Sequence, residues 1–435
     1  MKVLGLITEY NPFHNGHLYH LEKSKEVTGC DAVVCIMSGN FIQRGLPALV
    51  NKWARTEMAL ANHVDLVVEL PVYYAVSSAE FFAFGAIKLL DSLGVVDSVC
   101  FGSECGEVKI LSMVAKVLAE EPEAYKNFLG NFLRQGISFP AARSLALQNY
   151  FNKSNKNDSA LIKLVVNQSN NILGIEYIKA LYKLKSKIQP ATIKRYKADY
   201  NSMKLYGSIA SATAIRKILQ DTKNDIVEMP LTEINKSPAN NNFDDIIKMV
   251  VPSPSYEILD REFREGRGPV FTDSFESMLL STIRKMNVSH LKNITDIGEG
   301  IENRIKKAAQ NSGSFYDLLV KIKTKRYTLT RLQRILMHIL LGLSKDSFNS
   351  FHSIGGPQYI RILGFSSKGK ELLSKIKSSS LPLVTTPSDF LRTCSPCQKE
   401  MLEADILASD IYSLGYPSPS QRVGGQDFYQ RILSI

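Results

Sequence analysis

Histidine is scarce in this chain, with seven in 435 residues. Cysteine is scarcer still: six residues cannot staple a chain of this length, which excludes a disulfide framework as the source of stability. Cys394 and Cys397 form a CxxC, but no second CxxC or histidine pair completes a zinc set, and they read as reduced thiols. No apolar run approaches the ~18 residues of a membrane span. RILMHILLGL is short and carries His338, and the N-terminus lacks a signal-peptide pattern because Thr8 and Glu9 soon follow Lys2. A cytoplasmic protein of two or more domains is expected, with no membrane partner. Acids are in deficit, 42 against 53 Lys and Arg, and the deficit is local. Residues 281–340 hold twelve Lys/Arg against four Asp/Glu, a net +8 of the chain's +11. So concentrated a charge is the footprint of a phosphate-rich partner.

What is present first is an alternation. Apolar runs at 3–7, 31–37, 65–70 and 95–101 are separated by helix-length segments at Gly16 to Val27, Asn51 to Asn62 and Ser77 to Leu93. Continuous Val/Ile/Leu runs of this kind predict a parallel sheet covered on both faces, an α/β Rossmann-like fold. Ligands in such sheets bind at the C-terminal edge of the strands, where the strand order reverses. A helical insertion is predicted over about 106–188, and ATIKRY (191–196) returns the chain to the sheet. Residues 222–255, rich in Asn, Pro and Ser, read as a linker. They divide a domain at 1–221 from a basic, mainly helical region at 256–435.

The uneven use of histidine is concentrated in LITEYNPFHNGHLYH, residues 6–20, where strand gives way to helix. His14, His17 and His20 stand at three-residue spacing around Gly16. A metal triad, a phosphate cradle and simple packing are all open to such a cluster. The turn favours the cradle: Asn15, Gly16 and His17 lie where free backbone N–H groups and the helix dipole attract an anion. Imidazoles at i and i+3 aim two ring N–H groups at one point, whereas a zinc site of the HExxH kind lacks its pattern here. His20 stands one turn further into the helix. A near-match to a phosphate loop, GFSSKGKE (364–371), has Glu371 where Ser or Thr would meet Mg²⁺, and reads as a helix start.

His14-Asn15-Gly16-His17 resembles the HxGH signature of the nucleotidyltransferase superfamily, and IASATAIR (209–216) resembles its second signature, with Ala212 in place of a hydroxyl residue. More fully, EYNPFHNGH, MSGNFIQRG, KWARTEMA, FGSE, NNILGIEY, EGIENRI and KRYTLTRLQR resemble in order the bacterial tRNA(Met) cytidine acetate ligases. That resemblance implies an ATP-dependent ligase that adenylates acetate and passes the acetyl group to N4 of the wobble cytidine of elongator tRNA(Met). It implies His14 and His17 as catalytic residues on the ATP phosphates. It further implies ATP contacts from Ile7, Thr8, Asn15, Gly16, His20, Gly102, Asn170 or Asn171, Arg195, Ser211, Thr213 and Arg216. Ser38 and Gly39 are candidates for the acyl group, and Arg44, Lys52 and Arg55 for pyrophosphate or tRNA. Mg²⁺ commonly accompanies ATP, although no carboxylate cluster designates a site for it. In KIKTKRYTLTRLQR (321–334), Lys325, Arg326, Arg331 and Arg334 surround Tyr327 without an acid, a composition suited to RNA backbone binding with stacking on an unpaired base. Two other readings remain open. One is an adenylyltransferase acting on a small phosphorylated cofactor precursor, and the other a non-catalytic RNA-binding protein on the same fold.

Overall fold

The computed structural model describes residues 1–154, 162–163, 165–195, 210–228, 247–376 and 379–435. The chain enters through β1 (Val3–Thr8), helix α1 (Asn15–Thr28) and β2 (Ala32–Ser38). A short hairpin follows, β3 (Phe41–Ile42) and β4 (Leu46–Pro47), then helix α2 (Lys52–Ala61) and β5 (Leu66–Leu70). Strands β6 (Ser98–Ser103) and β7 (Gln189–Lys194) complete a parallel set in the order β5-β2-β1-β6-β7. Every residue of β2 and β5 is buried. Burial on both faces is why their sequences run apolar instead of alternating. The order reverses between β1 and β6, so a crevice opens beyond the C-terminal ends of those two strands. Between β6 and β7 the chain builds a helical insertion, from Val108–Glu120 to Ser169–Leu184, and these two helices pack on each other.

The C-terminal region is mainly helical, as expected, and it also adds three short strands to the sheet. β8 (Ile360–Phe365) pairs antiparallel with β5, and β9 (Leu383–Val384) and β10 (Leu433–Ser434) pair parallel with β8. IRILGF is too short for periodicity to separate it from a buried helix turn. One apolar cluster runs from Val34 and Tyr74 through Phe275 and Leu336 to Tyr412, so the core is continuous across the expected boundary at 222–255. The bounds of that expected linker are also corrected. Helix Ala212–Glu228 covers its start and helix Ser253–Arg264 its end, while 229–246 lie outside the described residues.

GFSSKGKE begins with the last two residues of β8, Gly364 and Phe365. Because β8 runs against β5, this loop emerges at the sheet edge opposite the parallel strands' C-terminal ends. Ser366 accepts the Gly369 N–H at 3.2 Å and donates to Asp65 Oδ1 at 2.8 Å, capping the helix Ser367–Lys375. Among the described residues no helix is long and apolar enough to cross a membrane.

Candidate active site

A cleft of about 250 Å³ opens at the C-terminal ends of β1, β6 and β7. Its floor begins with Ile7 and Thr8 at the end of β1, where Thr8 Oγ1 lies 2.9 Å from Cys35 Sγ. The chain then turns sharply. Tyr10 adopts φ 45, a conformation that costs a non-glycine residue about 1–2 kcal/mol, and its buried ring is set against Phe13. Asn11 Oδ1 holds the turn by accepting the Leu49 N–H at 2.7 Å and Arg216 Nη1 at 3.1 Å. Asn15 begins α1 and donates its side-chain amide to Met249 O at 2.9 Å, while Gly16 lines the cleft.

The histidines follow from that turn. The rings of His14 and His17 are stacked, with centroids 3.7 Å apart. His17 Nδ1 accepts the His14 backbone N–H at 3.3 Å, which leaves the proton of the neutral ring on Nε2. Burial pushes the pKa of His14 down to about 3 and that of His20 down to about 4, and the Arg195 charge adds to both shifts. His17 is lowered well below the ordinary value by burial and then by His14, His20 and Arg195. All three rings are therefore neutral N–H donors at pH 7, not cations. His14 Nδ1 and His20 Nε2 are buried with no hydrogen-bond partner among the described residues. Such orphaned atoms cost about 1–3 kcal/mol each, so they favour a ligand that supplies polar oxygens. The cleft thus fits a phosphate-bearing ligand on its own chemistry.

His20, one of the expected ATP contacts, stands with the other two histidines although it lies one turn further into the helix. It lines the same cleft, and a Cβ built on Gly102 would lie 3.7 Å from its ring and 3.2 Å from Arg195 Cγ. Arg195 also lines the cleft. Its backbone N–H donates to Ser103 O at 2.9 Å, and its guanidinium lies 3.4 Å from Asn170 Oδ1. Ile209 of the second signature lies outside the described residues. The two asparagines divide their duties. Asn171 is fully buried, and its Oδ1 accepts the N–H groups of Glu104 and Cys105 at 2.9 and 3.1 Å. Glu104 reciprocates by accepting from the backbone N–H groups of Asn170 and Asn171 at 3.1 and 2.7 Å. Asn170 lines the cleft; Asn171 clamps the FGSE loop to the helix behind it. Ser211 and Thr213 also line the cleft, with Ser211 capping its helix through the Ala214 N–H at 3.1 Å. Half-buried Arg216 lies 5.5 Å from the Phe271 ring, and burial lowers its pKa to about 10, so it stays charged.

Other candidates are not in the cleft wall. Ser38 ends β2 and Gly39 follows it, and their carbonyls accept from the buried Arg55 guanidinium. Arg55 also donates to Glu9 O at 2.7 Å and Val50 O at 3.1 Å. Lys52 is fully buried, with Nζ 2.8 Å from Glu69 and 2.7 Å from Asp427, and Arg361 reaches the same two carboxylates. Gly39 crosses this cluster so closely that a Cβ would lie 2.5 Å from Glu69 Oε1. Lys52 and Arg55 are thus spent on protein partners, which corrects their expected role toward pyrophosphate or tRNA. Arg44 is half-buried on the β3–β4 turn.

The basic segment divides in the same way. Lys325 and Arg326 are exposed, whereas Arg334 is buried against Asp296 Oδ2 at 2.9 Å and Arg331 donates to Asp296 O at 3.0 Å. Tyr327 is buried, donates to Gly298 O at 2.6 Å and lies 4.7 Å from the Arg331 guanidinium, so it is not a stacking platform. Tyr316, on the helix Phe315–Ile322, is 75% exposed. Glu9 and Gln43, which line the cleft, were missed from sequence; EYNPF and FIQRG held them, but neither residue type announces a site by itself.

Residues 1–427 match the model of the HIGH Nucleotidyl Transferase family. A tRNA(Met) cytidine acetate ligase of Acetivibrio thermocellus is 51% identical over 434 residues, covering 100% of both chains. One from Halothermothrix orenii is 44% identical over 440 residues, covering 100% of this chain and 99% of its own. The crystal structure of Thermotoga maritima TmcAL bound with alpha-thio ATP matches over 100% of both chains at 40% identity, with a TM-score of 0.90. The chain belongs to the HIGH nucleotidyl transferases and, within them, to the tRNA(Met) cytidine acetate ligase family.

Proposed function

We propose that the chain activates acetate with ATP in this cleft and transfers the acetyl group to N4 of the wobble cytidine of elongator tRNA(Met). The observation that carries this reading is the cleft beside the HNGH turn, where the buried His14 Nδ1 and, one turn on, His20 Nε2 lack hydrogen-bond partners among the described residues, beside Gly16 at a helix N-terminus. In the first half-reaction an acetate oxygen attacks the α-phosphorus, pyrophosphate leaves and acetyl-adenylate remains. His14, His17 and His20 hold phosphate oxygens as neutral donors. The fixed charges of Arg195 and Arg216 and the start of α1 stabilise the negative charge that grows on them. Gly102 and Asn170 bound the nucleoside end, and the backbone of Ile7, Thr8 and Gly16 lets the nucleotide approach the sheet. Mg²⁺ accompanies the triphosphate in this reading.

Activation is needed because acetate itself is a poor acyl donor and cytidine N4 a weak nucleophile. Once the mixed anhydride exists, the remaining task is to hold the amine against it. Lys325 and Arg326, with Tyr316 nearby in sequence, offer the charge and the aromatic face for the RNA. The first half is tested by acetate-dependent exchange of labelled pyrophosphate into ATP without tRNA, with and without chelator. The second is tested by mapping N4-acetylcytidine in elongator tRNA(Met) from cells lacking the protein. Exchange that needs another acid, or acetylcytidine that persists, overturns the reading.

A further inference from the structure

Acetyl transfer leaves one proton to be placed. N4 of cytidine attacks the carbonyl carbon, the C–N bond forms, and the C–O bond to phosphate breaks, with AMP leaving on that electron pair. N4 carries two hydrogens before the step and one after it. We infer that the Glu9 carboxylate accepts this proton, an inference that rests on the activity proposed above.

Glu9 is the one carboxylate lining the cleft among the described residues. It directly follows β1, and it is fixed at both ends. Its carbonyl accepts Arg55 Nη1 at 2.7 Å, and its Oε1 accepts the Gln43 backbone N–H at 2.8 Å. No hydrogen bond engages Oε2 among the described residues. The bracing points toward the RNA side. Gln43 lies on the β3–β4 turn and donates Nε2 to Ser77 O at 3.1 Å. Two residues on, Gly45 has φ 71, and a Cβ there would lie 2.3 Å from Arg334 N. The hairpin therefore rests on the backbone of the helix Leu329–Leu341, which exposed Lys325 and Arg326 precede. Glu9 is thus linked through one hairpin to the basic surface, whereas Gly102, Asn170 and Arg195 come from β6, β7 and the insertion.

The chemistry asks little of the base. The exocyclic N–H is too weakly acidic to lose a proton beforehand, but it acidifies steeply as the C–N bond forms and positive charge builds on nitrogen, so a carboxylate suffices. Burial raises the Glu9 pKa above the ordinary carboxylate value, against the Gln43 N–H and the charges of Arg44, Arg55 and Arg216, which surround it. His14 and His20, at about 3 and about 4, are poor acceptors beside it.

Glu9→Gln retains an oxygen for the Gln43 N–H, and its melting curve checks that it folds. The test compares pyrophosphate exchange with single-turnover acetyl transfer from enzyme loaded with acetyl-adenylate. Transfer is expected to fall about 100-fold or more, and exchange by much less. Wild-type transfer should slow on acidification as the carboxylate protonates, and the variant should lack that limb; Glu9→Asp should recover part of the rate. Transfer at the wild-type rate, or a parallel fall in exchange and transfer, overturns the inference. Wild-type enzyme without acetate-dependent exchange would instead overturn the activity on which it rests.

Discussion

Lys52 and His14 are both buried polar side chains near the same sheet edge, 0% and 8% exposed, yet they stand in opposite relations to the protein. The Lys52 ammonium has three carboxylate contacts within 2.9 Å from Glu69 and Asp427. The His14 Nδ1 has none among the described residues. A sequence offers both as anion-binding candidates, and charge alone would favour the lysine. The structure separates them by whether hydrogen-bonding capacity has been spent. A satisfied buried cation holds the fold, and an unsatisfied buried donor awaits a ligand.

The sharpest way to break this comparison is to remove both kinds of group. Lys52→Met leaves Glu69 and Asp427 buried with Arg361 as their remaining cation, and should destabilise the protein by about 3–5 kcal/mol. Exchange per folded molecule should persist, measured beside a denaturant titration. His14→Ala should do the reverse. Loss of one donor to the growing charge is expected to slow exchange about 10²–10³-fold, with a smaller loss of stability than Lys52→Met, since the ring nitrogen has no partner to strand among the described residues. His20→Ala should resemble His14→Ala, because both carry an orphaned nitrogen in one cleft. If Lys52→Met abolished exchange in fully folded protein, the division between spent and unspent groups would fail.

The basic segment carries the same contrast at lower stakes. Lys325→Ala and Arg326→Ala remove exposed charges and should weaken tRNA binding, each reducing the slope of log affinity against log salt by about 1. Arg334→Ala should cost stability instead, because Asp296 loses its partner at 2.9 Å. Filter binding across a salt series, alongside melting curves, separates the two. Equal salt slopes for all three variants would erase the distinction.

Much of this is legible in the sequence. Strands buried on both faces announce themselves as unbroken apolar runs, and the HNGH turn announces a phosphate site because glycine and a helix start are local features. His20 follows by spacing too: three steps of 100° fall 60° short of a full turn, so residues 14, 17 and 20 share one side of a helix. What sequence could not show was partnership across distance. Lys52 and Asp427 are separated by 375 positions and Asn51 and Glu262 by 211, and nothing local marks either cation or acid as spent. Strand β8 was lost for a related reason, since its pairing with β5 is a long-range fact carried by six residues.

The smallest effect bears on the imidazoles themselves. His20 titrates near 4 in the folded protein against an ordinary 6.5. Between those values the unfolded chain binds a proton that the folded chain refuses, so this group's contribution to stability is complete above pH 6.5 and declines as pH falls toward 4. His14 acts in the same direction down to about 3. Melting temperature should therefore drop on acidification through this window, and His20→Ala should flatten the slope. ATP should flatten it further in the wild type, because phosphate charge beside an imidazole favours the protonated ring and lifts its pKa toward the unfolded value. A slope indifferent to ATP would detach these rings from the phosphates and leave them, like Lys52, to the fold alone.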